Sequence, residues 1–167
     1  MMDDESQQTL AHLIREQYTA ALGTLREGAP FVSMVIFAAA PDFSAFILHL
    51  SRLAHHTQDL LRDSRASLMI TEAEMGSRNP QTLARVSILG RAVRIPKDTQ
   101  EYEFARATFV QKHPKGVINF SLGDFDLFKI RPENARYVAG FGKIFDLTAD
   151  DIKQAAAVEP GSTHTQE

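Results

Sequence analysis

Cysteine and tryptophan are both absent from the 167 residues. Without thiols there is no disulfide framework, thiolate zinc centre, iron–sulfur cluster or cysteine nucleophile. A basic surplus is missing too: 18 Lys and Arg stand against 21 Asp and Glu, a formal charge of −3. Nucleic-acid binders usually carry a basic excess or stripe, so nucleic acid is not an expected partner. No apolar run approaches the roughly 18 to 20 residues that a membrane-spanning helix needs. The acidic start Met1-Met2-Asp3-Asp4-Glu5 lacks the basic n-region of a signal peptide. No membrane partner is expected, and the default location is cytoplasmic.

Several catalytic signatures are also missing. The six histidines are His12, His49, His55, His56, His113 and His164. None forms a His-x3-His pair or a His-Glu-x-x-His motif, and the adjacent His55 and His56 would point about 100° apart on a helix, so no metal site is expected. There is no Gly-x-Ser-x-Gly elbow and no Gly-x-Gly-x-x-Gly before a helix. What is present is ordinary for a folded domain: 44% hydrophobic and 23% charged residues. A chain of this length can bury roughly 70% of the surface its unfolded form exposes. We expect one domain over 1–157, followed by a polar, mobile tail over 158–167.

Periodicity supplies the elements. Leu10, Leu13 and Ile14 share a helical stripe within Glu5–Gln17. Ala20–Leu25, Phe31–Ala38 and Ala45–Leu50 read as strands joined by short turns, hence an antiparallel meander. Ser51–Asp63 returns to helical period, with Ser51 as the N-cap. Ala66–Thr71 is a strand, Glu72–Gln81 a loop, and Thr82–Ile95 a long strand with Gly90 as a bulge. Asp98–His113 is a second clear helix, with Asp98 and Glu101 at capping-box spacing. Phe125–Arg131 and Ala135–Gly140 read as two strands across a Pro132-Glu133-Asn134 turn, and Thr148 caps a last short helix. Six or seven strands with helices between groups of them do not follow the β-α-β rhythm of a parallel sheet. The expected class is mainly β with peripheral helices (α+β), built as an antiparallel barrel.

The segment His49-Leu50-Ser51-Arg52-Leu53-Ala54-His55-His56-Thr57 carries the densest chemistry. A strand ends there and a helix begins, and a helix N-terminus presents free N–H groups and the positive end of a dipole. A hydroxyl from Ser51 and a guanidinium from Arg52 suit a phosphate; an ordinary cap with a solvated arginine is the alternative. Arg85 opens a mostly apolar strand, and it would add charge if that strand neighbours the turn. Gly140-Phe141-Gly142-Lys143 follows a strand, and its glycines let the backbone approach a flat ligand or another chain closely. In Asp124-Phe125-Asp126, one acid can face a histidine or an interface; solvation is the favoured reading for Asp126.

With these residues in place, the chain resembles the flavin mononucleotide (FMN)-binding split barrels, the group that includes pyridoxamine 5′-phosphate oxidase. Its heme-utilisation branch (HugZ/HutZ-type) is the nearer match. The likeness runs over roughly residues 8–156, through Leu50–Leu60, Ala66–Ile70, Gly123–Ile130 and Val138–Gly142. It implies a six-stranded antiparallel split β-barrel, homodimeric, with two flavin sites at the subunit interface. Ser51, Arg52 and Arg85 would hold the FMN phosphate. Ser33 and Val35, on one side of their strand, would touch the ring, with His49, His56 and Thr57 as further contacts.

The chain departs from the oxidases at Leu53, where they carry a lysine, and in having no Trp for their C-terminal signature. Oxidation of pyridoxamine phosphate is therefore disfavoured. In the shorter members of the heme branch a histidine near the C-terminus ligates heme iron and an acid of the Asp-Phe segment supports it across the dimer; His164 and Asp124 lie near those positions. The leading expectation is an FMN-binding flavoprotein, an oxidoreductase acting on a small molecule. The alternatives are a heme-binding or heme-degrading protein that uses the tail histidine, and a flavin-binding module without catalysis.

Overall fold

The computed structural model describes residues 2–76 and 78–158. In chain order the elements are α1 (Asp4–Glu16), β1 (Thr19–Arg26), β2 (Ala29–Ile36), β3 (Ala38–Ala39), β4 (Phe46–Ser51) and α2 (His55–Arg62). Then come β5 (Arg65–Thr71), β6 (Arg85–Arg94), α3 (Gln100–Lys112), β7 (Phe125–Gly140), β8 (Lys143–Thr148) and α4 (Ala149–Ala156). Short 3₁₀ segments cover Pro80–Thr82 and Pro114–Ser121. No helix among the described residues is long and apolar enough to cross a membrane.

Among the described residues the strands make one eight-stranded sheet in the order β2-β1-β5-β6-β7-β4-β3, with β8 added to β7. Every pairing is antiparallel. The expected mainly-β class with peripheral helices holds, but the expected count of six strands does not. The difference lies in two elements: β3 is only two residues long, and β8 follows a tight turn read as the end of the sheet. That turn needs Gly140 at φ +142° and Gly142 at φ +81°, conformations that disfavour a Cβ.

β7 is the spine, and it corrects another reading. Pro132-Glu133-Asn134 is not a turn; the strand runs unbroken for 16 residues. β4 pairs with Phe125–Ile130 and β8 with Asn134–Gly140, so Pro132 stands where that edge changes partner. A residue without an N–H costs no ladder hydrogen bond there. Gly90 faces it on β6, where the register shifts as the sequence suggested. A Cβ on Gly90 would lie 2.1 Å from the Arg131 carbonyl oxygen.

Strand alternation builds the main core: Leu22 of β1, Leu68 and Ile70 of β5, Val86 and Ile88 of β6, Phe128 and Ile130 of β7. The α1 stripe of Leu10, Leu13 and Ile14 closes onto it, each side chain contributing roughly 1.5–3 kcal/mol by burial. Tyr137 is fully buried, and its hydroxyl donates to the Ser6 carbonyl at 3.0 Å. A smaller cluster of Ile47, Ile95, Ala105, Phe109 and Leu127 packs α3 against the other face of β4 and β7.

The caps divide. Thr148 caps α4 in a full capping box with Asp151. Thr99, not Asp98, caps α3, and Asp98 takes a left-handed φ of +64° before it. Ser51 does not cap α2: it ends β4, and Ala54 holds the cap position without a side-chain hydrogen bond.

Candidate functional site

At one end of the sheet the core-facing rows run out into charge. Along β7, Ile130 and Phe128 are followed on the same side by Asp126, opposite Leu50 of β4; along β6, Ala92 is followed by Arg94, opposite Phe128. Asp126 is 5% exposed, so its expected solvation is wrong. Its Oδ2 accepts from Arg52 at 3.3 Å and lies 3.7 Å from Arg94, while Oδ1 lies 3.8 Å from the Lys97 ammonium. These residues, with Ile95 and Pro96, line a cleft of about 290 Å³.

The Ser51-Arg52 turn is stapled to the start of β7. The Ser51 hydroxyl donates to Asp124 Oδ2 at 2.5 Å and accepts from the Leu53 N–H at 3.1 Å. The Arg52 N–H donates to the Asp124 carbonyl at 2.7 Å. Its guanidinium also donates to the Gly123 carbonyl at 2.6 Å. The Ser51 hydroxyl is thus engaged by Asp124, while the half-exposed Arg52 guanidinium is held between Gly123 and Asp126 at the edge of the cleft.

His49 points to the opposite face. Its ring stacks on Phe120 at a centroid distance of 3.8 Å and meets Phe109 and Phe125. Burial pushes its pKa down to about 4, against an upward pull from Asp126 and with a further push down from Lys97. It is neutral at physiological pH. His113 is likewise enclosed, with Nε2 2.7 Å from the Phe37 carbonyl.

The remaining expected residues scatter. Ser33 Oγ lies 3.0 Å from His56 Nδ1, where burial again lowers the histidine's pKa. Val35 is buried in the main core, so only Ser33 of that pair reaches the surface. Thr57 is fully buried, and its hydroxyl has no partner among the described residues. Arg85 donates to the Leu83 and Gln81 carbonyls at 3.0 and 3.3 Å. It pairs with Val138, whereas Ser51 pairs with Phe125 at the other end of β7. At about 3.3 Å per residue, that is on the order of 40 Å along the strand. One protomer therefore does not bring Arg85 to the Ser51-Arg52 turn. His164 lies outside the described residues.

Sequence reasoning missed Arg94, Lys97 and the second network beside α2. There the buried Asp59 accepts from Thr24 at 3.0 Å and from Arg26 at 3.2 Å, and Arg26 reaches His55 Nδ1 at 2.5 Å. No local pattern marks Arg94 and Lys97; the β6–β7 register sets Arg94 beside Asp126.

The CREG β-barrel profile matches residues 4–153. The chain belongs to this family, and its fold is the split barrel. It is 38% identical over 140 residues to the non-canonical chloroplastic heme oxygenase HOZ of Arabidopsis thaliana, covering 80% of this chain and 40% of that protein. It is 25% identical over 149 residues to the heme oxygenase HutZ of Vibrio cholerae, covering 88% of this chain and 84% of that one. A solved heme-binding protein from Mycobacterium smegmatis superposes with a TM-score of 0.81 at 26% identity, over 92% of this chain and 62% of its own. The chain thus spans less than half of the Arabidopsis relative. The resemblance to the heme-utilisation branch is confirmed, and the leading expectation of an FMN oxidoreductase is overturned: these relatives are named for heme.

Proposed function

We propose that the protein binds heme at a site shared by two copies of the chain and supports its oxidative breakdown. The carrying observation is the 38% identity, over most of this chain, to a protein named as a heme oxygenase. The donor chemistry of the fold suits the group. Heme needs an apolar surface, an iron ligand and cations for its propionates. The outer face of β2, β1, β5 and β6 exposes Val32, Met34, Met69 and Leu89, an apolar patch of the kind that marks an interface. A second copy is the occupant proposed for it.

Four of the five described histidines are engaged by Arg26, Ser33, Phe120 or the Phe37 carbonyl. By the resemblance to the heme branch, His164 is the residue that would hold the iron. Asp124, oriented by Ser51, would accept the other ring N–H of that imidazole, fixing its orientation and raising its basicity. The iron, when bound, supplies the oxygen chemistry; the chain's residues hold, orient and shield.

Titration with hemin, followed by absorbance, tests this. A saturable Soret shift is expected in the wild-type protein, weakened in His164→Ala and shifted in position in Asp124→Asn. With ascorbate and oxygen the Soret band should decay. No saturable binding would sink the heme reading, and binding without decay would remove the breakdown step.

A further inference from the structure

We propose that the cleft between Arg52, Arg94 and Lys97 is an anion subsite that takes the propionate edge of heme. This rests on the heme reading above and adds to it the part of the ligand that these three side chains recognise.

The first argument is charge. Three cations converge on one carboxylate, Asp126, which leaves the cleft two positive charges in excess. Heme's two propionates carry the complementary two negative charges. The second is depth. The Asp126 side chain is 6% exposed, whereas those of Arg52, Arg94 and Lys97 are 43%, 56% and 50% exposed. The carboxylate forms the floor and the cations the rim, so an incoming anion meets the cations first.

Saturation is the third. Arg94 and Lys97 stand 3.7 and 3.8 Å from Asp126, beyond the 2.7–3.2 Å of a formed N–H···O hydrogen bond. Their donors are not used up by the floor. Arg52, in contrast, is fixed by the Gly123 carbonyl at 2.6 Å, so one wall is preorganised. The fourth is size and place. A cleft of about 290 Å³ accommodates carboxylate arms and not a whole porphyrin, which must lie outside it. The Arg52 N–H donates to the Asp124 carbonyl, so the subsite adjoins the residue proposed to orient the axial imidazole.

The test compares hemin with hemin dimethyl ester, whose propionates are uncharged, on the full chain. The variants are wild type and Arg94→Ala/Lys97→Ala, two half-exposed rim positions whose loss the fold should tolerate; thermal melting checks this. In the wild type, esterification should weaken binding about ten- to a hundredfold, the range for losing one charge-assisted hydrogen bond. The double variant should bind hemin more weakly by a similar factor and be nearly indifferent to esterification. If the double variant still discriminates as strongly as the wild type, the subsite is wrong and the heme reading stands. If the wild type binds neither compound, the heme reading falls and this inference with it.

Discussion

Replacing His49 by Phe should remove a defined part of the acid sensitivity of this fold. The imidazole is enclosed by Phe109, Phe120 and Phe125, and burial holds its pKa at about 4, against 6.5 for a free histidine. Between those two pH values the unfolded chain takes up a proton that the folded chain refuses, so acid favours unfolding. The stabilising contribution is complete above pH 6.5 and is lost as the pH falls towards 4. At 1.36 kcal/mol per pKa unit the full loss is roughly 3 kcal/mol. For a chain of this size that corresponds to about 6–12 °C in Tm. Phe keeps the stacking and cannot be protonated. Urea unfolding at half-unit steps from pH 7 to pH 4, on wild type and His49→Phe, isolates the effect as a difference. His56 and His113, whose pKa values burial also lowers, titrate in both proteins and cancel. The wild type should lose stability faster by roughly 3 kcal/mol over the interval. Parallel curves would refute the claim that burial sets the charge of His49.

Two further perturbations test the fold and the shared site. In Gly90→Ala the new Cβ meets the Arg131 carbonyl oxygen at 2.1 Å, a backbone atom that no rotamer can clear, whereas in Gly23→Ala the nearest atom is the rotatable Ser67 Oγ at 2.4 Å. Urea unfolding should show a loss of roughly 3 kcal/mol for the first and below about 1 kcal/mol for the second; equal losses would mean that the bulge is not a constraint. Met34 is 71% exposed on the apolar sheet face, so Met34→Lys should barely change the stability of an isolated chain. If a second copy covers that face, the variant runs as a monomer in light scattering at concentrations where the wild type is dimeric; a persistent dimer would place the interface elsewhere.

Much of the local structure is legible in the sequence. The Leu10-Leu13-Ile14 stripe sets α1, the two-residue alternation of β5 and β6 sets their buried faces, Thr148 and Asp151 set the start of α4, and Gly90 marks a bulge. Each depends on neighbours within a turn or a strand. The resemblance to the heme-utilisation branch was legible too, but the weight given to flavin is overturned by relatives named for heme, since the Ser51-Arg52 turn reads as an anion grip for either ligand until its partners are known. Those partners, Gly123, Asp124 and Asp126, lie about seventy residues away.

What only the tertiary structure decided is a matter of register and burial. Pro132 reads as a turn because proline breaks most strands; here it stands where β7 exchanges β4 for β8, so its missing N–H is not needed. Asp126 reads as solvated because carboxylates usually are. It is buried because the pairing of β6 with β7 sets Arg94 opposite Phe128, one step along the core-facing row, and so brings the guanidinium to it. No local pattern encodes which residue of one strand faces which residue of another, and that choice separates a scattered set of charges from a cleft.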